Sequence, residues 1–263
     1  MTNEHVWLKM FYETLNLGDH LAPRGLVIRE LRDYQITVDP RYPFMGFPAR
    51  GYNVDYFKRE MLWKIGANRM DDSIKKHAKM WESVQNPDGS FNSNYGHYWF
   101  GPQMGFWNVV HELIRDIDSR QAVIPMLSKE HMTPETIDKV CTTAVGFHIR
   151  NFELHMSVQM RSSDQVFGLG TDIPTFSMLY RMVYAVLRAK YDLAIGNLTI
   201  TAMSSHIYQR HFQMVHDILE SGLKGYQEID MPWFKSPIEA INLISTRGKI
   251  HEPMSDVEEW LKS

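Results

Sequence analysis

Between Leu154 and Arg161 the chain alternates without a break, Leu154, Met156, Val158 and Met160 standing against His155, Ser157, Gln159 and Arg161. A period of two puts the first set on one face of a strand and places Arg161 on the polar face with His155 and Gln159. Such a strand needs sheet neighbours. LTITAM at 198–203 predicts one, and the looser alternation of Leu26, Ile28, Tyr34, Ile36 and Val38 predicts strands carrying a hairpin over 25–38. Helical spacing appears elsewhere. Residues 4–17 read as an opening helix, with Val6, Met10, Leu15 and Leu17 among its apolar positions. Asn53 is a candidate N-cap for a helix carrying Val54, Phe57, Met61, Leu62 and Ile65. A helix over about 174–190 bears a stripe of Phe176, Leu179, Tyr180, Val183, Val186 and Leu187. The turn-rich aromatic stretch 87–101 reads as a loop. Helices and strands mix without regular βαβ alternation, which predicts an α+β fold with a large mixed β-sheet packed with helices. No repeat or linker interrupts the chain, so a single catalytic domain over 1–263 is expected.

Composition narrows the function. With 28 basic against 31 acidic residues the net charge is −3, which argues against direct nucleic-acid binding while leaving small phosphorylated ligands open. Seven Trp, 12 Tyr and 13 Phe argue against disorder. The single cysteine, Cys141, excludes an intramolecular disulfide and a Cys-rich zinc site, and no metal is expected. The opening residues lack the basic and apolar regions of a signal peptide, and no apolar run reaches membrane-spanning length. A cytoplasmic protein without membrane association is expected.

Several residues invite a chemical reading, each beside a plainer one. Cys141 is a buried small hydrophobe or a nucleophile, and the second role calls for positive charge that lowers its pKa, with Arg161 a candidate neighbour. Arg24, Arg120 and the pair Arg161-Ser162 are solvated surface or a phosphate site. Glu60, among apolar helix positions, is either a desolvated proton shuttle or the i,i+4 ion-pair partner of Lys64. Asp172 precedes Pro174 and reads equally as an N-cap. His206 and Tyr208 stand two apart at a strand end and point the same way, toward a sugar hydroxyl or the core edge.

Together these residues resemble the thymidylate synthase superfamily from about Arg24 to His211. The resemblance is carried by Cys141, then Gln159-Met160-Arg161-Ser162-Ser163-Asp164, Val166-Phe167-Gly168, Asp172 and Ser205-His206-Ile207-Tyr208, with Cys141 and Arg161 twenty residues apart as in that family. It implies a nucleophilic Cys141 and a proton-handling Glu60, the latter within Arg59-Glu60-Met61-Leu62-Trp63. It implies Trp81 and Asp164 near a folate, and Tyr95 with Asn94 in the family's short Tyr-Gly motif beside the substrate. Arg24, Arg161 and Ser162 are implied to hold a phosphate, and His206 and Tyr208 a sugar. It further implies a homodimer in which Arg120, from Asp118-Ser119-Arg120, reaches the phosphate of the other subunit.

The departures matter as much. Lys139-Val140-Cys141-Thr142 replaces the family's Pro-Pro-Cys-His, Gln121 replaces a second arginine, and the usual folate-closing segment is not evident in Met254–Ser263. Synthases acting on dUMP carry asparagine where this chain has Asp172. Cytosine presents an N4 amine and an accepting N3, the reverse of uracil, and a carboxylate suits that edge. The resemblance is therefore strongest to the cytidylate 5-hydroxymethylase branch, which includes phage enzymes and would place the protein in a host cytoplasm. It implies one-carbon transfer from methylenetetrahydrofolate to C5 of dCMP or CMP through a Cys141–C6 adduct, finished by water. The alternatives are a dUMP hydroxymethylase, a synthase-like C5 methyltransferase, and a non-catalytic nucleotide binder.

Overall fold

The computed structural model describes residues 2–249 and 252–263. In chain order its elements are α1 (Asn3–Leu17), β1 (Asp19–Leu21), β2 (Ile28–Val38), α2 (Val54–Gly66), α3 (Met80–Val84), α4 (Gly96–Phe100), α5 (Gly105–Arg115), β3 (Val123–Pro125), β4 (Thr142–Arg150), β5 (Glu153–Met160), β6 (Ser163–Asp164), α6 (Gly168–Leu187), β7 (Ala194–Tyr208), α7 (Phe212–Ser221), α8 (Pro237–Thr246) and α9 (Asp256–Lys262). The fold is α+β, with one mixed sheet packed by helices. Strand order is β1-β2-β7-β5-β4-β3. The β2–β7, β4–β5 and β3–β4 pairs are antiparallel, and β5 and β6 both run parallel to β7.

The alternation over 154–160 forms β5, and Leu154, Met156, Val158 and Met160 are all buried. Its other face stays half-exposed or exposed at His155, Ser157 and Gln159. The LTITAM strand is the middle of the much longer β7, and β5 pairs with it from Glu153–Ala194 to Met160–Ala202. One expectation is corrected here: residues 28–38 form a single strand, whose hairpin partner is the short β1 before it. The segment 87–101 is also not loop throughout, because α4 begins at Gly96. A Cβ at Gly96 would lie 1.5 Å from the Lys64 carbonyl oxygen, so only glycine lets this turn press onto the end of α2.

α2 starts as predicted, with Asn53 accepting from Tyr56 N–H at its N-terminus. Its inward stripe contains Phe57, Glu60, Met61 and Lys64, so an acid and a base lie within an apolar row. α6 begins earlier than the apolar stripe suggested, at Gly168, and Pro174 sits inside it. Asp172 is therefore not an N-cap. That work falls to Asp164, whose carboxylate accepts from the backbone N–H groups of Val166, Phe167 and Gly168 at 3.2–3.3 Å. Arg50 braces the same turn, donating from Nε to Val166 O at 2.8 Å while its guanidinium fills the space beside Gly170.

Candidate active site

β4 and β5 form a hairpin turned by Asn151 and Phe152, both with positive φ, as a two-residue turn of this hand requires. At the open end of that hairpin, Cys141 comes just before β4 and Arg161 just after β5. The Arg161 N–H donates to the Cys141 carbonyl at 2.8 Å, so the two residues are cross-strand neighbours. Their twenty-residue separation is the length of one folded hairpin.

The Arg161 side chain turns back over the segment preceding the thiol. Nε donates to Val140 O at 2.9 Å, Nη2 donates to Lys139 O at 2.5 Å, and Nη2 lies 3.6 Å from Sγ of Cys141. The far side of this segment is fixed equally well. Asn86 Oδ1 accepts from Ile137 and Asp138 N–H, each at 3.0 Å, and Asn92 donates to Asp138 O at 2.8 Å. Ser93 donates to the Asp138 carboxylate from N–H and hydroxyl, at 2.7 and 2.5 Å. Cys141 is half-buried, and burial pushes its thiol pKa up. Arg161 is the largest opposing influence, followed at a distance by Arg24, while Asp172 and Asp138 add to the rise. At this corner desolvation outweighs the charge of Arg161, so the thiol is raised rather than lowered, with one arginine partly offsetting burial.

Beside this corner lies a second cluster, built on α2 and α6. Lys64 Nζ is 2.6 Å from Glu60 Oε1, with the two side chains only 2% and 8% exposed. The ion pair that stood as the plainer reading of Glu60 is present, and it is a buried one. Lys64 also donates to Thr175 Oγ1 at 3.3 Å and lies 5.1 Å from the centre of the Tyr95 ring. Tyr95 is buried, stacks on Phe176, and accepts from Thr142 Oγ1 at 3.1 Å. Thr142 follows Cys141, so this hydroxyl joins the two clusters. Asp172 stands one helical turn before Thr175 on α6. Desolvation lifts its pKa to about 7, Lys64 opposes that rise, and Glu60 and Asp164 add to it. Tyr56, at the start of α2, is raised by burial and by Glu60, and accepts from Trp81 Nε1 at 3.0 Å.

The thymidylate synthase family model matches residues 6–243. The chain belongs to the thymidylate synthase family. Among its relatives, the deoxycytidylate 5-hydroxymethyltransferases of Enterobacteria phages T4 and T6 are each 27% identical over 180 residues, covering 65% of this chain and 73% of theirs. The phage T2 enzyme of the same name is 28% identical over 173 residues, 62% of this chain and 70% of its own. Thymidylate synthase family enzymes act on pyrimidine nucleoside monophosphates with methylenetetrahydrofolate as co-substrate.

Set against that family, the remaining expected residues are distributed unevenly. Ser162 occupies the break between β5 and β6, next to Arg161. Arg24 sits on an exposed turn in left-handed conformation, φ 52°, and its charge is felt at Cys141, His206 and Tyr208. His206 is buried near the end of β7, its pKa lowered by desolvation, and its ring meets that of Tyr208 edge-on at 4.9 Å. Arg120 is exposed in the loop between α5 and β3, where the neighbouring Ser119 donates to Glu112 at 2.5 Å. Asn94 is fully buried and donates to the Trp63 and Asn68 carbonyls, holding the end of α2. Trp81 belongs to a small aromatic cluster with Trp63 and Phe91.

Sequence reasoning passed over Lys64 as more than a partner for Glu60, noted Thr142 only as the residue after Cys141 where the family has histidine, and missed Tyr56, Thr175, Asp138 and Asn86. Lys64 alone gave a signal, as a charge falling on an apolar stripe. A sizeable cavity lies elsewhere. It measures about 600 Å³, and its walls include Arg69, Asn92, His97, Tyr98, Met126 and His131 but not Cys141. Among the described residues no cluster of three or more His, Cys, Asp or Glu could hold a metal, and no helix is long and apolar enough to cross a membrane.

The folate fit rests on donor chemistry. Asp164 is half-exposed and has lone pairs to spare beyond its long backbone contacts, so it can accept from an N–H-bearing heterocycle. Phe167 beside it offers a 42% exposed ring for stacking. These residues suit a pterin-like ring.

Proposed function

We propose that this chain is a cytidylate 5-hydroxymethyltransferase acting on dCMP or CMP, in a single catalytic domain over 1–263. The observation that carries the reading is Asp172, a desolvated carboxyl on α6 beside Glu60–Lys64, in a chain whose relatives include deoxycytidylate 5-hydroxymethyltransferases. Methylenetetrahydrofolate, when bound against Asp164, Phe167 and the Trp81 side, supplies a one-carbon unit at the oxidation level of formaldehyde. Cys141 Sγ adds to C6 of the pyrimidine and makes C5 nucleophilic. C5 would then bond to the one-carbon unit, and loss of the C5 proton together with departure of tetrahydrofolate, which takes the C–N electron pair, would leave an exocyclic methylene. Water then adds its oxygen to that carbon, the electron pair returns to C5–C6, and the Cys141 thiolate departs. Glu60 takes the proton from this water. Asp172 accepts from N4–H₂ and shares a proton with N3. Tyr95 and Asn94 shape the floor of the site.

Arg161, Ser162 and Arg24 hold the phosphate, and His206 and Tyr208 the sugar. Two copies associate, with Arg120 reaching the phosphate in the other subunit; its exposed position suits that reach. Neither metal, membrane nor nucleic acid takes part, and the enzyme works in the cytoplasm, that of the host if phage-encoded. The test is product analysis from CMP, dCMP and dUMP assayed side by side with methylenetetrahydrofolate in oxygen-18 water. A labelled hydroxymethyl group on a cytidylate, with tetrahydrofolate released, is the expected result. A methylated product with dihydrofolate, or a preference for dUMP, overturns it.

A further inference from the structure

We propose that the cavity of about 600 Å³ is a second ligand site, taking a small zwitterion whose carboxylate lies on Arg69 and whose cationic end faces the rim. Its volume is that of a small-molecule pocket. Tyr98, His131 and Met126 are its buried walls, and Arg69 and His97 are half-buried beside them. Arg69 is the single Lys or Arg among the described lining residues. Its Nη2 donates to Ser90 Oγ at 3.3 Å and to Asn92 Oδ1, both neutral acceptors. Its buried Nε has no partner, and among the described residues no carboxylate pairs with it. The Asp138 carboxylate, which feels the Arg69 charge, is already engaged by Ser93 N–H and hydroxyl. A guanidinium that meets only neutral groups keeps fork donors for an acid.

The two histidines differ in what they have left to give. Ser128 N–H donates to His131 Nδ1 at 3.2 Å, and Nε2 lies 3.1 Å from the Tyr98 hydroxyl, so that ring is taken. The His97 ring has no hydrogen-bond partner among the described residues. Burial, and after it Arg69, lowers its pKa, so a neutral ring can donate to the same acid. Met126, Leu127, Pro125 and the Tyr98 ring offer apolar surface to the body of the ligand. The rim has the opposite sign. Asp88, Glu130 and Glu135 are exposed where they line the cavity. Each is held below the usual carboxylate range, chiefly by the Ser90 side chain, the Ser128 side chain and the Glu135 backbone respectively. A second anionic group on the ligand would meet these charges, whereas a cation would be drawn to them. Asn86 and Asn92, on the cavity wall, also bond to Ile137 and Asp138, so an occupant borders the segment leading to the nucleophile. Cys141 itself is not among the described walls, which makes this site separate from the reaction proposed above.

The experiment titrates the full chain near neutral pH with three probes: 4-(aminomethyl)benzoate, a zwitterion; benzoate, a monoanion; and terephthalate, a dianion. The ring C–H signals of His97, His131 and His206 are followed by NMR in the parent, in Arg69→Gln, and in a double variant, Glu130→Gln with Glu135→Gln. The zwitterion should bind with a Kd of about a few millimolar or tighter, as its size allows. It should move the His97 and His131 signals, leave His206 unmoved, and stay bound in saturating dCMP. It should bind at least about threefold more tightly than terephthalate. Glutamine at position 69 keeps a donor for Asn92 and Ser90 without the charge, and should weaken zwitterion and benzoate alike at least about tenfold. The rim variant should erase the preference for the zwitterion. No saturable movement of the His97 and His131 signals with any probe overturns the proposal. Terephthalate binding as tightly as the zwitterion, or Arg69→Gln binding like the parent, also overturns it. So does displacement by dCMP with movement at His206, which would place the probe in the nucleotide site. Should Arg69→Gln fail to fold, the order of the three probes in the parent and its loss in the rim variant, where only exposed carboxylates change, still decide.

Discussion

The nucleophile corner and the carboxylate cluster adjoin each other and are built by opposite means. Cys141 and Arg161 are set in place by backbone pairing, through a hairpin, a carbonyl accepting from Arg161 N–H, and further bonds to the carbonyls of 139 and 140. Glu60 and Lys64 project from α2 and are held by their ion pair and by Thr175, while Asp172 projects from α6 into the same desolvated setting. The first arrangement fixes position and leaves charge to one arginine. The second fixes charge, because water is excluded and each group's ionisation depends on its neighbours. Geometry and protonation are thus assigned to different parts of the fold.

The largest expected effect removes the nucleophile. Cys141→Ser should reduce turnover by at least about 1,000-fold with nucleotide binding still measurable, because an alcohol is almost wholly un-ionised near neutral pH. Single-turnover kinetics checks it, and activity within tenfold of the parent would remove the covalent mechanism.

On the carboxylate side, Asp172→Asn should move the dCMP-to-dUMP preference toward dUMP by about tenfold to a hundredfold, the consequence of mismatched buried polar partners worth about 1–3 kcal/mol. The sign of its stability effect follows from desolvation. Asp172 holds its proton more tightly folded than unfolded, so its contribution to stability is lost as pH rises toward about 7. Asp172→Asn should therefore raise Tm relative to the parent more at pH 8 than at pH 5. An equal change at both pH values would show that burial is not what raises this group.

Arg161→Lys tests the corner by geometry. Lysine keeps a positive charge but cannot span two carbonyls and the thiol as a planar fork does, so kcat should fall about tenfold or more. The Cys141 pKa, followed by the pH dependence of alkylation, should rise. If the variant alkylates like the parent, the arginine's hold on 139–140 is dispensable. The smallest effect on stability is expected from Asp164→Ala, which removes the carboxylate that accepts from the N–H groups leading into α6 and should cost about 1 kcal/mol in thermal unfolding, apart from its effect on folate binding.

What the sequence revealed divides along the same line. Strand alternation exposed β5, and the interval to Cys141 matched the family because chain distance maps directly onto a hairpin. The Asn53 cap was also legible, being local chemistry between residues three apart. Asp172 was harder. Capping competes for the same residue type, and which of two aspartates caps α6 depends on where the helix starts, which Pro174 obscured. Lys64 and Thr175 come from elements more than a hundred residues apart, and no local pattern announces that they touch. Pairing along the backbone is written in short spacings; contacts across a desolvated interface are not.

The β4–β5 hairpin carries one more implication. All of its chemistry sits at the open end, whereas its closed end, at Asn151 and Phe152, reaches solvent with Phe152 62% exposed. A reporter peptide spliced in there, or a pair of new chain ends opened there, leaves the cross-strand ladder to hold the far residues opposite each other. The two halves of the reaction corner could in this way be supplied on separate segments of polypeptide, joined by nothing but the sheet.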